Sequence, residues 1–383
     1  MKKKIWTLIS YILVSALSVA ITLGLVFRQM NGESKLDQLQ RLIENCYIEK
    51  ADPVLLTDAA AEAMIAATGD RWSYYIPANE YAAYLENSEN AYVGIGITIT
   101  VAHDGSGLQI MEVNSGSSAE EAGLQVDDVI TAIEGQSAAD MTTTEARNLV
   151  RGKEGTLVEL TLWRQGQTLT ISVIRRKVEV QVAAGVLLED NVGLVTIENF
   201  DDRCASESIA AIESLLEQGA DKLIFDVRNN PGGYAHELVK MLDYLLPEGE
   251  LFRTVDYRGK ESVDRSDADC LDIPMTVLVN GDSYSAAEFF AAALQEYGAA
   301  AVVGEKTTGK GHFQSTFQLN DGSAVALSIG KYFTPRGISL EGVGITPDVV
   351  VPVDRETADA IYYGQLPPEE DPQIQAALDL LNR

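Results

Sequence analysis

Residues 221–233 read DKLIFDVRNNPGG, an apolar run that ends in two asparagines, a proline and two glycines. Such a run bounded by turn residues is a buried strand entering a tight loop. What flanks it decides the fold. Upstream, SESIAAIESLLEQG (206–219) sets Ile209, Ile212, Leu215 and Leu216 on one helix face, with Gly219 as its stop. Before that, VGLVTIENF (192–200) is another strand. Downstream come a helix in HELVKMLDYLL (236–246), a strand in MTVLVN (275–280) and a helix in SAAEFFAAAL (285–294). AAVVGE (300–305) and SAVALSIG (323–330) continue the strands. Strands alternating with helices predict an α/β body, with chemistry beyond the carboxyl ends of the strands. The polar stretch 253–269 reads as a surface insertion.

The region before this body has a different grammar. Residues 34–87 are helical in pattern, with Leu36, Leu39, Leu42 and Ile43 on one face and Asn79 placed to cap a short helix from Glu80. From Tyr92 to Val178 short strands and glycine turns take over. YVGIGITITV (92–101) opens the segment, SSAEEAGLQVDDVITAIEG (117–135) supplies a short helix and a strand, and TTTEARNLVRG (142–152) a second helix. LVELTLWRQGQTLTISVIRRK (157–177) is a hairpin about Gln165-Gly166. This order closely resembles a PDZ domain. The resemblance implies that the loop Val93-Gly94-Ile95-Gly96 receives a peptide's terminal carboxylate while the peptide adds as a strand. Arg151 is a candidate contact between this domain and the α/β body.

Composition narrows the function. A formal net charge of -28 excludes a nucleic-acid partner, because phosphates require a basic surface. Cys46, Cys204 and Cys270 have no metal-ligand spacing; unpaired buried thiols are expected, with a Cys204–Cys270 bridge outside the cell as the alternative. MKKK is followed by 23 uncharged residues, 5–27, long enough at about 1.5 Å per residue to span a bilayer. A signal peptide has a shorter apolar core, of about 7–15 residues, and this run continues past the cleavage-like Ser18-Val19-Ala20. The expectation is an uncleaved single-pass anchor in the cell membrane, with Lys2, Lys3 and Lys4 cytoplasmic and the rest extracytoplasmic.

Three features gather at strand ends: Ser283 and Ser285, the RNNPGG loop, and GEKTTGKGHFQ (304–314). Acyl transfer needs a nucleophile, a base and donors for an oxyanion. Gly232, lacking a Cβ, and the amide of Ala286 at a helix start are the candidate donors. The chain has three histidines. His103 reads as a solvated turn residue, His236 starts a helix and His312 sits in the glycine loop, so composition leaves a histidine base open. No H-E-x-x-H pattern exists, and no metal is expected. Lys310, between two glycines, is the other candidate base. A lysine acts so only when its pKa falls from about 10.4 to near 7–8, a shift of roughly 3–4 kcal/mol that apolar burial supplies. Phe289, Phe290, Phe313 and AAVVG are the expected walls.

Taken together, TGDRWSYYIP (68–77), the PDZ-like segment, DVRNNPGG, SYSAAEFFAAALQEYG, VGEKTTGKGHFQ, LNDGSAVALSIGKYFTPRG and GVGITPDVVV are similar to the carboxyl-terminal processing (tail-specific) proteases. The resemblance runs from about Leu36 to the end. It implies a ClpP/crotonase-like core carrying an inserted PDZ domain, with Ser285 as nucleophile, Lys310 as base and Gln314 orienting the lysine. The serine three before Glu288 selects Ser285 over Ser283, and the GKG lysine selects Lys310 over Lys306. The four-residue spacing to Gln314 would set both side chains on one side of a helical turn. Tyr284, between the serines, departs from the small residues common in this turn. The implied layout is a cytoplasmic stub and anchor (1–28), a helical region (34–90), a PDZ domain (91–179), a peptidase core (180–355) and a helical tail (356–383). Substrates are proteins or peptides with free C-termini, and no cofactor is implied. Two rival classes are a catalytically inactive PDZ scaffold, which the intact Ser–Lys pair disfavours, and a crotonase-like acyl-CoA enzyme, for which a PDZ domain has no use. The amphipathic DPQIQAALDLLNR (371–383) has two homes open to it, a second copy of the chain in a homodimer or its own body.

Overall fold

The computed structural model describes residues 34–382, with five further helical positions at Ser15, Leu17, Ser18, Val19 and Ile21. No helix among the described residues is long and apolar enough to cross a membrane. The anchor expected at 5–27 falls almost wholly outside them.

The chain forms two compact units. The first joins the described residues up to Asn79 to Ser315–Ser328. It holds helices Lys35–Cys46 and Pro53–Ala66, started by the Ser34 and Asp52 side chains, which accept from Asp37 and Val54 N–H groups. The sequence pattern of 34–87 is all-helical, yet Tyr74–Ile76 is a strand, antiparallel to Ala324–Ala326. Three residues are too few to show a period, and the partner lies some 250 positions away in the chain.

The second unit contains a β-rich domain and the α/β body. The β-rich domain runs through strands Ile97–Val101, Leu108–Val113, Val129–Ile133, Leu157–Arg164 and Gln167–Ile174, with helices Ser118–Glu121 and Thr143–Val150. Its core is Ile95, Leu108, Ile110, Ile130, Leu160, Leu162 and Val173. The hairpin turns at Gln165-Gly166, both at positive φ, as a tight two-residue turn requires. Arg203 ties the domain's two ends to the body, donating to the carbonyls of Glu89, Asn90 and Val180.

In the body, strands Val192–Ile197, Lys222–Asp226, Met275–Val279, Ala300–Gly304 and Val349–Val350 lie parallel in chain order, and Ala183–Leu187 is an antiparallel edge. Helices Cys204–Glu217, Ala235–Leu245 and Ala286–Tyr297 share one core with Phe225, Val277 and Val302. The terminal helix Pro372–Leu381 packs its Ile374 and Ala377 with Ile224, Leu278 and Val303 in a separate cluster. Strand residues alternate sides, so Ile224 and Phe225 serve different cores. A buried ion cluster fixes that helix: Arg228 bonds Asp226 at 2.5 Å and Asp371 at 2.7 Å. The tail thus packs on its own body.

Most of the polar stretch 253–269 is regular strand. Gly249–Asp256 and Glu261–Ser266 form an antiparallel hairpin, and Arg253 to Phe333 begins its pairing with the strand beyond Ile329. Its alternation is hidden because charged side chains pair across it, Arg253 with Glu261 and Arg265 with Glu250, while Arg253 also meets Glu250 along its own strand.

Candidate active site

The loops that follow three adjacent parallel strands, Lys222–Asp226, Met275–Val279 and Ala300–Gly304, meet at one place. Each loop brings a different component.

The middle loop carries the serines. Ser283 is fully buried; its hydroxyl donates to the Val227 carbonyl at 2.7 Å and accepts the Asn280 N–H at 3.0 Å. Its shorter bonds serve the backbone, and it also lies 3.3 Å from Asn280 Oδ1. Ser285 is different. It precedes helix Ala286–Tyr297 with φ 58 and ψ -124, a region that L-residues avoid, and it is 7% exposed. A non-glycine residue held in strain at a strand-to-helix bend is how a fold presents a hydroxyl that must stand clear of its own backbone.

The glycine loop presses directly on that bend. A Cβ on Gly232 would lie 2.8 Å from Ser285 Cβ, from the Ala286 nitrogen and from the Tyr284 carbonyl oxygen. One on Gly233 would lie 2.5 Å from the Asp201 nitrogen. Only glycine permits either approach. Asn230 shapes the loop: its Nδ2 donates to the Ile197 carbonyl, its Oδ1 accepts the Gly232 N–H at 2.8 Å, and its carbonyl accepts the Tyr284 N–H. The Gly232 N–H expected as an oxyanion donor is therefore engaged here by Asn230. The Ala286 N–H sits at the first helical position, where no intrahelical acceptor exists.

The third loop brings Lys310. Gly309, at φ 83, and Gly311 lie so close to the 340–344 loop that a Cβ on either would meet backbone nitrogen within 2.9 Å. Lys310 Nζ lies 5.7 Å from the centre of the Tyr284 ring. The aromatic wall expected from Phe289 and Phe290 is used elsewhere: Phe289 packs on Phe252 and Tyr332, and Phe290 on Phe200 and Phe225. Phe313 stacks on Tyr332 at 5.0 Å. Gln314 does not share a helical turn with Lys310. It lies on strand His312–Gln318, where residues two apart share a face, and its Nε2 donates to the His312 carbonyl at 3.2 Å.

One side chain joins the loops, the glutamate that in the sequence only marks the position three residues after Ser285. Glu288 is fully buried. Its Oε2 accepts the N–H groups of Ser285 at 3.0 Å and Lys310 at 2.8 Å; its Oε1 accepts the Gly309 N–H at 2.7 Å and the Thr307 hydroxyl at 2.5 Å. The Thr307 hydroxyl is bound to donate, because it already accepts the Ile345 N–H at 2.7 Å. Burial raises the Glu288 carboxyl above its usual range, and these bonds oppose the rise. With donors aimed at both oxygens there is no place for a proton, so the ionised form is the one that fits. The signal was legible: a glutamate inside AAEFFAAAL is a charge in a helix that is otherwise buried.

The three histidines have different surroundings. His103 is exposed. The His236 side chain is 62% exposed and stacks on Tyr234. His312 Nδ1 lies 3.8 Å from Glu341 Oε2. Cys46, Cys204 and Cys270 are all free thiols, and burial pushes Cys204 up to about 12.

In the β-rich domain, Gly94, Ile95 and Gly96 line a groove of about 280 Å³ with Ile97, Ile99, Arg147 and Val150. Val93 belongs to strand Ala91–Gly94, paired with Arg176–Glu179, rather than to the groove lining. Arg151 makes its contacts near the domain's entry: its guanidinium lies 4.3 Å over the Tyr92 ring and 3.3 Å from Glu86, on helix Tyr81–Ser88.

The chain is similar to known proteins. Residues 191–351 match the family model of peptidase family S41, and residues 109–164 that of the PDZ domain. A carboxyl-terminal-processing protease of Picosynechococcus is 34% identical over 340 residues, covering 86% of this chain and 81% of that protein. The carboxy-terminal processing protease CtpA of Bacillus subtilis is 34% identical over 324 residues, covering 83% and 69%. A solved structure of a putative S41 protease from Bacteroides fragilis superposes with a TM-score of 0.53 at 16% identity, covering 92% of this chain and 97% of that one, a likeness of fold. With a strained serine over a glycine loop, a PDZ domain and relatives matched over most of their length, the chain belongs to peptidase family S41, as a serine-type peptidase related to the carboxyl-terminal processing proteases.

Proposed function

We propose that the chain hydrolyses peptide bonds of protein substrates through a Ser285–Lys310 dyad, and that its PDZ domain captures the substrates' C-terminal tails. The observation that carries this reading is the single carboxylate of Glu288, which holds the Ser285 bend and the Lys310 loop at one point. Neutral Lys310 takes the Ser285 proton as Oγ attacks the carbonyl, and returns it to the leaving amine. Water then hydrolyses the acyl-enzyme by the same route. The Ala286 N–H is aimed at the developing oxyanion, with the glycine loop as the second wall. Gln314 supports the lysine from the adjoining strand. Repeated strand–helix units with their helices on one face support reading the core as ClpP/crotonase-like. The apolar run 5–27 after three lysines supports an anchor that leaves the peptidase outside the membrane.

The test is cleavage of an unfolded protein by Ser285→Ala, Lys310→Ala and His312→Ala variants. The first two should lose turnover with the fold intact, and the third should keep most of it. A His312→Ala protein as inactive as Ser285→Ala would replace the lysine by a histidine base.

A further inference from the structure

The PDZ groove has two unlike walls. Strand Ile97–Val101 offers Ile97, Thr98 and Ile99, while helix Thr143–Val150 offers Thr143, Thr144, Arg147 and Val150. Arg147 is exposed, and its side chain makes no hydrogen bond or ion pair among the described residues. That is notable in a chain with 57 acidic and 29 basic side chains. The carboxylates on neighbouring positions are engaged: Glu145 folds back on Thr142 at 2.8 Å, and Glu112 accepts from Thr98 at 3.3 Å.

The helix has a defined direction along the groove. Arg151, just past its end, sits over Tyr92, which leads into the Gly94–Gly96 loop. The carboxyl end of the helix is therefore the end nearest the loop, and Thr143 lies farther along. A tail whose carboxylate meets the loop, and which adds antiparallel to Ile97–Val101, sends its upstream residues the same way. Arg147 lies four residues, about 6 Å, along the helix from Arg151. Two residues of extended chain cover about 6.8 Å and return a side chain to the same face.

Resting on the reading of this domain as a tail-capturing module, we infer that Arg147 selects substrate tails carrying Asp or Glu two residues before an apolar C-terminal residue. The occupant is an extended, acidic-apolar protein tail, recognised by a carboxylate at Arg147 in addition to its terminal carboxylate at the loop.

Fluorescently labelled decapeptides ending in leucine, titrated into full-length protein bearing Ser285→Ala, test this by anisotropy. The third residue from the end is Glu, Gln or Lys; further peptides move Glu one place toward the end, or amidate the terminus. Glu should bind about threefold to tenfold tighter than Gln at low salt, as expected for a charge-assisted but solvent-exposed pair. The gain should shrink at 0.5 M salt, vanish in Arg147→Gln and turn to a preference for Lys in Arg147→Glu. Equal binding of Glu, Gln and Lys peptides, with free termini still preferred over amidated ones, would overturn the role of Arg147 and leave tail capture standing. Equal binding of free and amidated peptides would overturn tail capture itself, and this inference with it. Weaker binding of the Gln peptide to Arg147→Gln would assign the residue a structural role instead.

Discussion

Glu288 Oε2 accepts the backbone N–H of Lys310 at 2.8 Å. The same oxygen accepts the N–H of Ser285 at 3.0 Å, so the bend of the proposed nucleophile and the loop of the proposed base are registered on one atom. Both contacts are made by backbone N–H groups, not by the Ser285 hydroxyl or the Lys310 amine. Glu288 acts through the positions of the other two, and the distance between them is set by a rigid, buried third party.

Glu288→Gln is accordingly the most informative single change. An amide has one acceptor oxygen, so one pair of donors, on Ser285 and Lys310 or on Thr307 and Gly309, would face an NH2 group. The expected cost is about 2–5 kcal/mol of stability. In the fraction still folded, kcat should fall further than KM rises, because the groups displaced are those that react. Urea titration with steady-state kinetics measures both; an unchanged kcat would reduce Glu288 to a structural role.

The two serines should separate cleanly. Ser283→Ala leaves the Asn280 N–H unpaired and the Val227 carbonyl with only the Asn230 N–H at 3.4 Å, costing about 1–3 kcal/mol while folded protein stays active. Ser285→Gly removes the hydroxyl and also the strain of φ 58. It should abolish turnover and raise stability by about 1 kcal/mol, relief of strain outweighing the entropy of the added glycine. A Ser285→Gly protein less stable than its parent would mean that the bend stores no strain.

Gly232→Ala tests the contact between loop and bend. Its φ of 87 disfavours a side chain, and the new Cβ would press on Ser285 and Ala286. A loss of about 2–4 kcal/mol is expected, with kcat lowered at least tenfold in the folded protein. Full turnover in the variant would show that the loop can withdraw without harm.

Asp201 gives the pH dependence. Burial first, and the charge of Asp202 second, push its carboxyl up to about 7. The folded value lies above the unfolded one of about 3.9, so stability is fully present below about pH 4 and declines as pH rises through about 7. Asp201→Asn should match the parent near pH 4 and exceed it above pH 8 by on the order of 1–3 kcal/mol. Urea midpoints at pH 4.5 and 8.5 measure the difference, and parallel midpoints would mean that the carboxylate stays hydrated in the fold.

Much of this molecule is set locally and so is readable from the chain. The strand in DKLIFDVRNNPGG, the helix after Ser285 and the hairpin at Gln165-Gly166 each follow from apolar period and turn chemistry within a dozen residues. The choice of Ser285 over Ser283 came from motif order, and the structure adds the physical reason in the backbone bonds that occupy Ser283. Four things were decided only by tertiary structure. Tyr74–Ile76 is a strand because of a partner some 250 residues away, and 253–266 is a hairpin because its charges meet across two strands. Gln314 leaves the helical geometry that its spacing implied because residues 312–318 pair as a strand. The role of Glu288 depends on donors from loops 19 to 22 positions away, and no local period records which buried amides will need an acceptor.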